Sequence, residues 1–350
     1  MRADELIINY LCFNRKRRGV KVNTTSTTKS GTARKSSRNV NKDFYGYIFI
    51  APFVIVFITF ILYPIYNTFF LSVTNAHMIQ GMPGDVIGLD NFRSILADPV
   101  FWQALYNTVS LWISNFIPQM LFALLLAAMF TSTTFKLKGM NFFKAMYYLP
   151  NLMMPVTIAA LFVMFLDIHG PLNQFLVGTV GVMPEGRNFL GFALDTRITV
   201  IFLNTWMWFG HTAIVLVAGM TTISPTYYES AMIDGASQFK MFLYITLPLI
   251  KPVMLFVLVT SLVGGLQMFD IPILLAGPLG NPQSSVLTVN MLMNVRRTPP
   301  NNMIGSAASI SIMLFFVSSF VALILFRIFR EPTDEQISKR IAKKTKGVRT

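Results

Sequence analysis

Thiols and imidazoles are nearly missing from this sequence. Cys12 is its single cysteine, which excludes an internal disulfide and any cysteine-built metal cluster. The three histidines, His77, His169 and His211, include no pair at the i, i+4 spacing that sets two imidazoles on one helical face, so no metal site is expected. Charge is scarce as well: 13% of the 350 residues are charged, about half the share of a soluble domain. No G-x-x-x-x-G-K-[ST] phosphate loop occurs, which excludes a Walker-type nucleotide site in this chain, and no resident cofactor is expected. No grouping of nucleophile, base and metal ligand stands out, so a membrane-bound enzyme is the weakest reading. The lack of an obvious internal repeat argues against a carrier built from inverted repeats.

What fills the chain instead is apolar: 53% of its residues are hydrophobic. Six stretches meet the length of about 20 residues that a bilayer's hydrocarbon core requires. They run from Phe44 to Val73, Leu105 to Phe130, Leu149 to Leu166, Ile198 to Met220, Val253 to Ala276 and Met303 to Phe326. The expected fold is therefore an all-α integral membrane protein with six transmembrane helices. Pro52, Pro64, Pro118, Pro155 and Pro272 fall inside these spans, where neighbouring helices can satisfy the freed backbone groups. Trp102, Trp112, Tyr63, Tyr147 and Tyr148 are expected toward span ends, because amphipathic rings favour the interface.

The formal charge of +14 could suggest nucleic acid, but its distribution does not. The first 43 residues hold 11 Lys or Arg and residues 327–350 hold 8, as expected of basic tails beside membrane helices. With the N-terminus inside, 24 of the 29 basic residues are cytoplasmic, and only Arg93, Arg187, Arg197, Arg296 and Arg297 lie outside. The expected location is the cell membrane, multi-pass and in contact with lipid, with both termini cytoplasmic. The Arg296–Arg297 pair is a local exception.

Four regions follow. Residues 1–43 read as a disordered basic cytoplasmic tail, with Leu6–Phe13 as a possible interfacial helix and no cleavable signal peptide expected. Residues 44–104 carry the first span and an outer loop, 105–328 the transmembrane core, and 329–350 a cytoplasmic C-terminal tail. The outer connections, Thr74 to Ala104, Asp167 to Arg197 and Gly277 to Asn302, are long and rich in Gly, Pro, Asn and Asp. They read as surface loops forming a platform for a partner.

Between the fourth and fifth spans lies a polar stretch with helical grammar of its own, within residues 225–248. Ser224 before Pro225 suits an N-cap, with Thr226 and Glu229 as a competing capping box. Gly235 suits a helix stop, and Ser237 a second N-cap. Phe239, Phe242 and Ile245 recur at helical spacing as one apolar face, and Pro248 is expected to end the second helix. Glu229, Ala231, Asp234, Gly235, Ala236, Leu247 and Pro248 stand at the spacing of the EAA loop, and the chain resembles binding-protein-dependent ABC importer permeases of the type I fold. Ser230 replaces the first alanine of the usual triplet. The resemblance implies a coupling loop that docks on separate cytoplasmic ATP-binding subunits, through Glu229, Ala231, Asp234, Gly235, Phe239 and Phe242.

Two spans carry polar groups that a lipid-facing helix would not. Asn204, Trp208 and His211 share one face of span four, where they could bind a sugar by stacking and hydrogen bonding, or could form an interfacial aromatic cluster with a histidine bonded to a neighbouring helix. In span five, Gly264 and Gly265 allow close approach, while Gln267 and Asp270 stand at i, i+3. Further matches are GLDNFRSIL, Asn107–Thr108, FFKAMYYLPNLMMP and GGLQMFDIPILLAGP. They resemble the carbohydrate branch, in particular the maltose-type permease, over residues 44–328. There the positions matching Asn204, Met207, Trp208 and His211 line the sugar site, and those matching Gly265 and Met268 contact sugar through asparagines that this chain lacks. The resemblance implies an oligosaccharide as cargo, an extracytoplasmic sugar-binding protein, a second and different permease chain, and transport by alternating access. The competing function is an ion- or proton-coupled carrier of a polar solute.

Overall fold

The computed structural model describes residues 42–79, 84–132 and 139–329, with side chains from residue 46 onward. The tails expected over 1–43 and 329–350 lie almost wholly outside the described residues. The chain forms two compact units, residues 1–64 and 65–350. The first contains helix α1 (Lys42–Phe57) and a π-helical turn, Ile58–Leu62. Tyr63 N–H there reaches back to the Ile58 carbonyl immediately before Pro64.

The second unit begins within α2 (Tyr63–Ser72). It continues through α3 (Asp90–Ala97), α4 (Pro99–Thr131), α5 (Met140–Leu152), α6 (Pro155–Leu166) and α7 (Ala193–Thr221). Then come α8 (Pro225–Ile233), α9 (Gln238–Met241), α10 (Lys251–Leu266), α11 (Asp270–Ala276), α12 (Val289–Arg297) and α13 (Ile304–Phe329). Six stretches are long and apolar enough to cross a membrane, beginning at Gly46, Pro99, Pro155, Ala193, Lys251 and Ile304, and no extended strand occurs among the described residues.

Two expected spans are broken. The third was expected as one helix from Leu149 to Leu166, but α5 ends at Leu152 and α6 starts at Pro155, with Met154 extended at ψ 134°. Proline dictates this: its ring disfavours helical backbone at the preceding residue, and as the first helical residue its missing N–H costs nothing. In the fifth, α10 stops at Leu266 and α11 starts at Asp270, with Pro272 in the first turn of the new helix. Pro52 and Pro118, by contrast, lie inside continuous helices.

Lipid tails are as apolar as leucine, so the bundle is held by close packing and internal hydrogen bonds more than by removal of apolar surface from water. Ala123 and Ala127, fully buried and one turn apart on α4, pack in one cluster with Ala213, Leu216 and Val217 of α7. Gly210 of α7 touches the backbone of α5, where an added Cβ would sit 1.9 Å from the Tyr147 carbonyl oxygen. Tyr147 and Tyr148 pack against α7, with ring centroids 5.9 Å from Phe209 and 6.1 Å from His211, where Gly210 lets the two helices come close. Inside the bundle, Gln119 donates to Thr212 Oγ1 at 2.8 Å and Thr205 to the Asn115 carbonyl at 3.2 Å.

The connections at the end opposite α8 and α9 are not surface loops throughout, contrary to expectation. Val286, Leu287, Thr288 and Met291 are almost fully buried, and α3 and α12 supply Ile95 and Leu292 to the same cluster. Arg296, the exception in the charge count, pairs with Asp98, whose other oxygen caps α4 by accepting from the Val100 N–H. A paired arginine at this end carries little net charge to be sorted across a bilayer.

Candidate functional site

The segment between α7 and α10 forms a helical hairpin with its own caps. Its first helix starts at Pro225, one residue after Ser224, but the Ser224 hydroxyl bonds to Thr226 Oγ1 and not to a backbone N–H. Gly235 sits at φ +74°, a conformation that glycine adopts without a side-chain clash. Ala236 N–H bonds to the Ala231 carbonyl and Gly235 N–H to that of Met232, the two bonds of a Schellman stop. Ser237 then caps α9 by accepting from Lys240 N–H. Tyr228 and Thr246 share a 2.9 Å hydrogen bond that ties the hairpin's two arms together.

Pro248 does not end the second arm. The chain passes from α9 through a π-helical stretch, Phe242–Thr246, into a further helical turn, Leu247–Leu249. Leu247 N–H reaches five residues back to the Phe242 carbonyl, the same widening that precedes Pro64. The bundle also covers the expected apolar face unevenly. Phe242 packs on the cluster formed by Ala127, Leu216 and Ile250, whereas Phe239 is 70% exposed. Glu229, Asp234 and Gly235 are exposed, Ala231 is half-buried, and neither carboxylate has an ion-pair partner among the described residues.

All eight residues singled out in spans four and five line one cavity of about 250 Å³: Asn204, Met207, Trp208, His211, Gly265, Gln267, Met268 and Asp270. Span four contributes as its spacing predicts. Asn204 is buried, with Nδ2 donating to the Val200 carbonyl, and the Trp208 and His211 rings meet edge-on with centroids 6.0 Å apart. In span five, Gln267 and Asp270 reach the cavity by another route than one helical face, because the helix breaks between them. The break frees backbone carbonyls inside the bundle, and the segment after the fifth span satisfies them. Thr288 Oγ1 donates to the Met268 carbonyl at 2.8 Å, and Asn290 Nδ2 to the Gln267 carbonyl at 2.8 Å. Pro155, at the break of the third span, lines the same cavity.

The sequence reading missed a third wall. Trp112, Asn115 and Gln119 of α4 stand at i, i+3 and i+7 and all face the cavity. Trp112, expected at an interface, lies in the middle of α4 against Gly265, and its indole N–H points to Ser261 Oγ at 3.3 Å. The spacing rule applied to span four finds this face equally well. Toward the far end, Arg197 of α7 joins α4 to the segment after span five, donating to Asn107 Oδ1, Ser110 Oγ and the Ser285 carbonyl.

Comparison with known proteins gives a consistent picture. The chain is 30% identical over 293 residues to the lactose transport system permease protein LacF of Rhizobium radiobacter, covering 83% of this chain and 96% of the relative. It is 32% identical over 285 residues to the arabinooligosaccharides transport system permease protein AraP of Bacillus subtilis strain 168, covering 81% and 87%. A solved chain from a bacterial ABC transporter involved in import of the acidic polysaccharide alginate superposes with a TM-score of 0.72 at 24% identity, over 85% of this chain and 99% of that one. Residues 119–331 match the family described as the binding-protein-dependent transport system inner membrane component, and the chain belongs to that family.

Proposed function

We propose that this chain forms one half of the membrane pathway of an ATP-driven carbohydrate importer. The observation that carries the reading is the cavity where two broken spans meet, walled by indoles, amides and hydroxyls. Indole faces stack on the apolar face of a sugar ring, and amides and hydroxyls match its alcohols. At about 250 Å³ the cavity falls below the roughly 300–1,000 Å³ typical of ligand pockets, consistent with a second permease chain completing it. We assign that second chain as a different one, so the pathway is a heterodimer.

The capped hairpin supplies the coupling. Glu229, Asp234 and Phe239 are exposed on it and are offered to a cytoplasmic ATP-binding subunit. Phe242 and the Tyr228–Thr246 bond carry movement of the hairpin into the bundle. Hydrolysis takes place on that partner, since this chain has no phosphate loop. The hairpin end and both termini then face the cytoplasm, and the far end, with α3 and α12, receives an extracytoplasmic sugar-binding protein. Relatives named for lactose and for arabinooligosaccharides support sugar as the cargo.

Affinity purification of the tagged chain from membranes tests the reading. Co-purification of an ATPase and a second permease, and stimulation of ATP hydrolysis by a sugar-loaded binding protein, are expected. Ion-gradient-driven uptake by the chain alone in vesicles would overturn it.

A further inference from the structure

We propose that this chain's side of the cavity selects uncharged sugars, and that Asp270 is the specificity-determining residue that turns anionic sugars away. The inference rests on the carbohydrate reading above and adds to it the sign of charge the site accepts. The fold does not fix that sign, since a solved chain that shares it comes from a transporter named for import of an acidic polysaccharide.

The charges around the cavity can be accounted for individually. No lysine or arginine is among the described residues that line it, Asp270 supplies its one carboxylate, and its one imidazole, His211, lies edge-on to Trp208. Asp270 is exposed, and none of the described side chains forms an ion pair with it. The helix ends do not compensate. At the break in span five the carbonyl end of α10 meets the amide end of α11, and at the break in span three the ends of α5 and α6 face each other in the same way. Partial charges of roughly half a unit and opposite sign then cancel, leaving the full charge of Asp270. Arg197, the cation on α7, is seven residues from Asn204, roughly 10 Å along the helix, and is occupied by Asn107, Ser110 and Ser285.

A neutral sugar meets amides, hydroxyls and rings that satisfy its alcohols at no charge penalty. A uronate brings a second negative charge into a partly enclosed site where this chain supplies no lysine or arginine to pair it. Two like charges roughly 7 Å apart, in a medium between bulk water and a protein surface, weaken binding about tenfold.

The test uses the intact importer complex, two permease chains with their ATP-binding subunits, and no binding protein, so that only the membrane site is read. Equilibrium dialysis with a panel of radiolabelled neutral di- to pentasaccharides, each paired with the counterpart whose terminal CH2OH is oxidised to a carboxylate, gives a ratio of affinities. A neutral preference of about tenfold is expected in the wild type, shrinking to within about threefold in Asp270→Asn and retained in Asp270→Glu. Equal or tighter uronate binding in the wild type, or a ratio unchanged in Asp270→Asn, overturns the proposal while leaving the sugar site standing. Binding of neither member of any pair removes the carbohydrate reading and the proposal with it.

Discussion

Gly265→Ala is the smallest substitution that should disable the cavity. Its Cβ would lie 2.0 Å from Trp112 Cδ1 and 2.5 Å from Cγ, where real Cβ atoms are essentially never found closer than 3.0 Å. The indole must therefore move by at least about 1 Å, and one side of it is open: the cavity. Movement that way breaks the contact to Ser261, a loss of roughly 0.5–1.5 kcal/mol, and the steric insertion adds about 1–3 kcal/mol. Part of this appears as lower thermal stability of the detergent-solubilised protein. The remainder appears as sugar affinity, expected to fall tenfold to a hundredfold, since about 1.4 kcal/mol is a factor of ten. In a Trp112→Ala background, which lacks Cγ and Cδ1, the stability cost of Gly265→Ala should shrink by at least about 1 kcal/mol, a coupling that independent sites would not show. Wild-type stability and affinity in Gly265→Ala, or strict additivity with Trp112→Ala, would refute the packing argument.

Other substitutions separate structural from coupling roles. Gly235→Val places a β-branched residue at φ +74°, at a cost of roughly 1–2 kcal/mol; it should lower both ATPase co-purification and ATP-driven uptake, whereas Gly235→Asn should be milder. Phe239→Ala should weaken ATPase co-purification with little change in melting temperature, while Phe242→Ala, which removes a ring packed on the bundle, should destabilise the protein by about 2–4 kcal/mol. Arg296→Ala strands the largely buried Asp98 and should cost about 2–4 kcal/mol by thermal denaturation, and adding Asp98→Ala should restore part of that loss.

Where backbone and side-chain chemistry agree locally, the sequence was legible. Gly235 and Ser237 adopt the cap positions expected of them, and the 4- and 3-residue steps from Asn204 to Trp208 to His211 place three side chains in one cavity. Some of the readings that failed assumed an unbroken, regular helix. Gln267 and Asp270 were placed on one helical face, yet the chain bends between them. Phe239 and Phe242 were paired on one apolar face, yet the bundle covers only Phe242. Pro248 was read as a stop, although a preceding i→i−5 bond lets a proline pass. Trp112 was sent to the interface because composition cannot see that Gly265 lies opposite it. Partners distant in sequence decided those positions.

The two interrupted spans have a mechanical consequence. A continuous rod such as α4 resists bending because every turn is laced to the next, whereas at residues 153–154 and 267–269 the regular ladder is interrupted, with the Met153 and Met268 N–H groups reaching back only three residues. Each is a point of lower bending stiffness, and both border the cavity. Pivoting there would widen or narrow the space between the halves while disturbing fewer ladder bonds than a bend in α4. Thr288 and Asn290 clasp the second of these points from the segment that follows it, so a push on that segment is delivered straight to the joint.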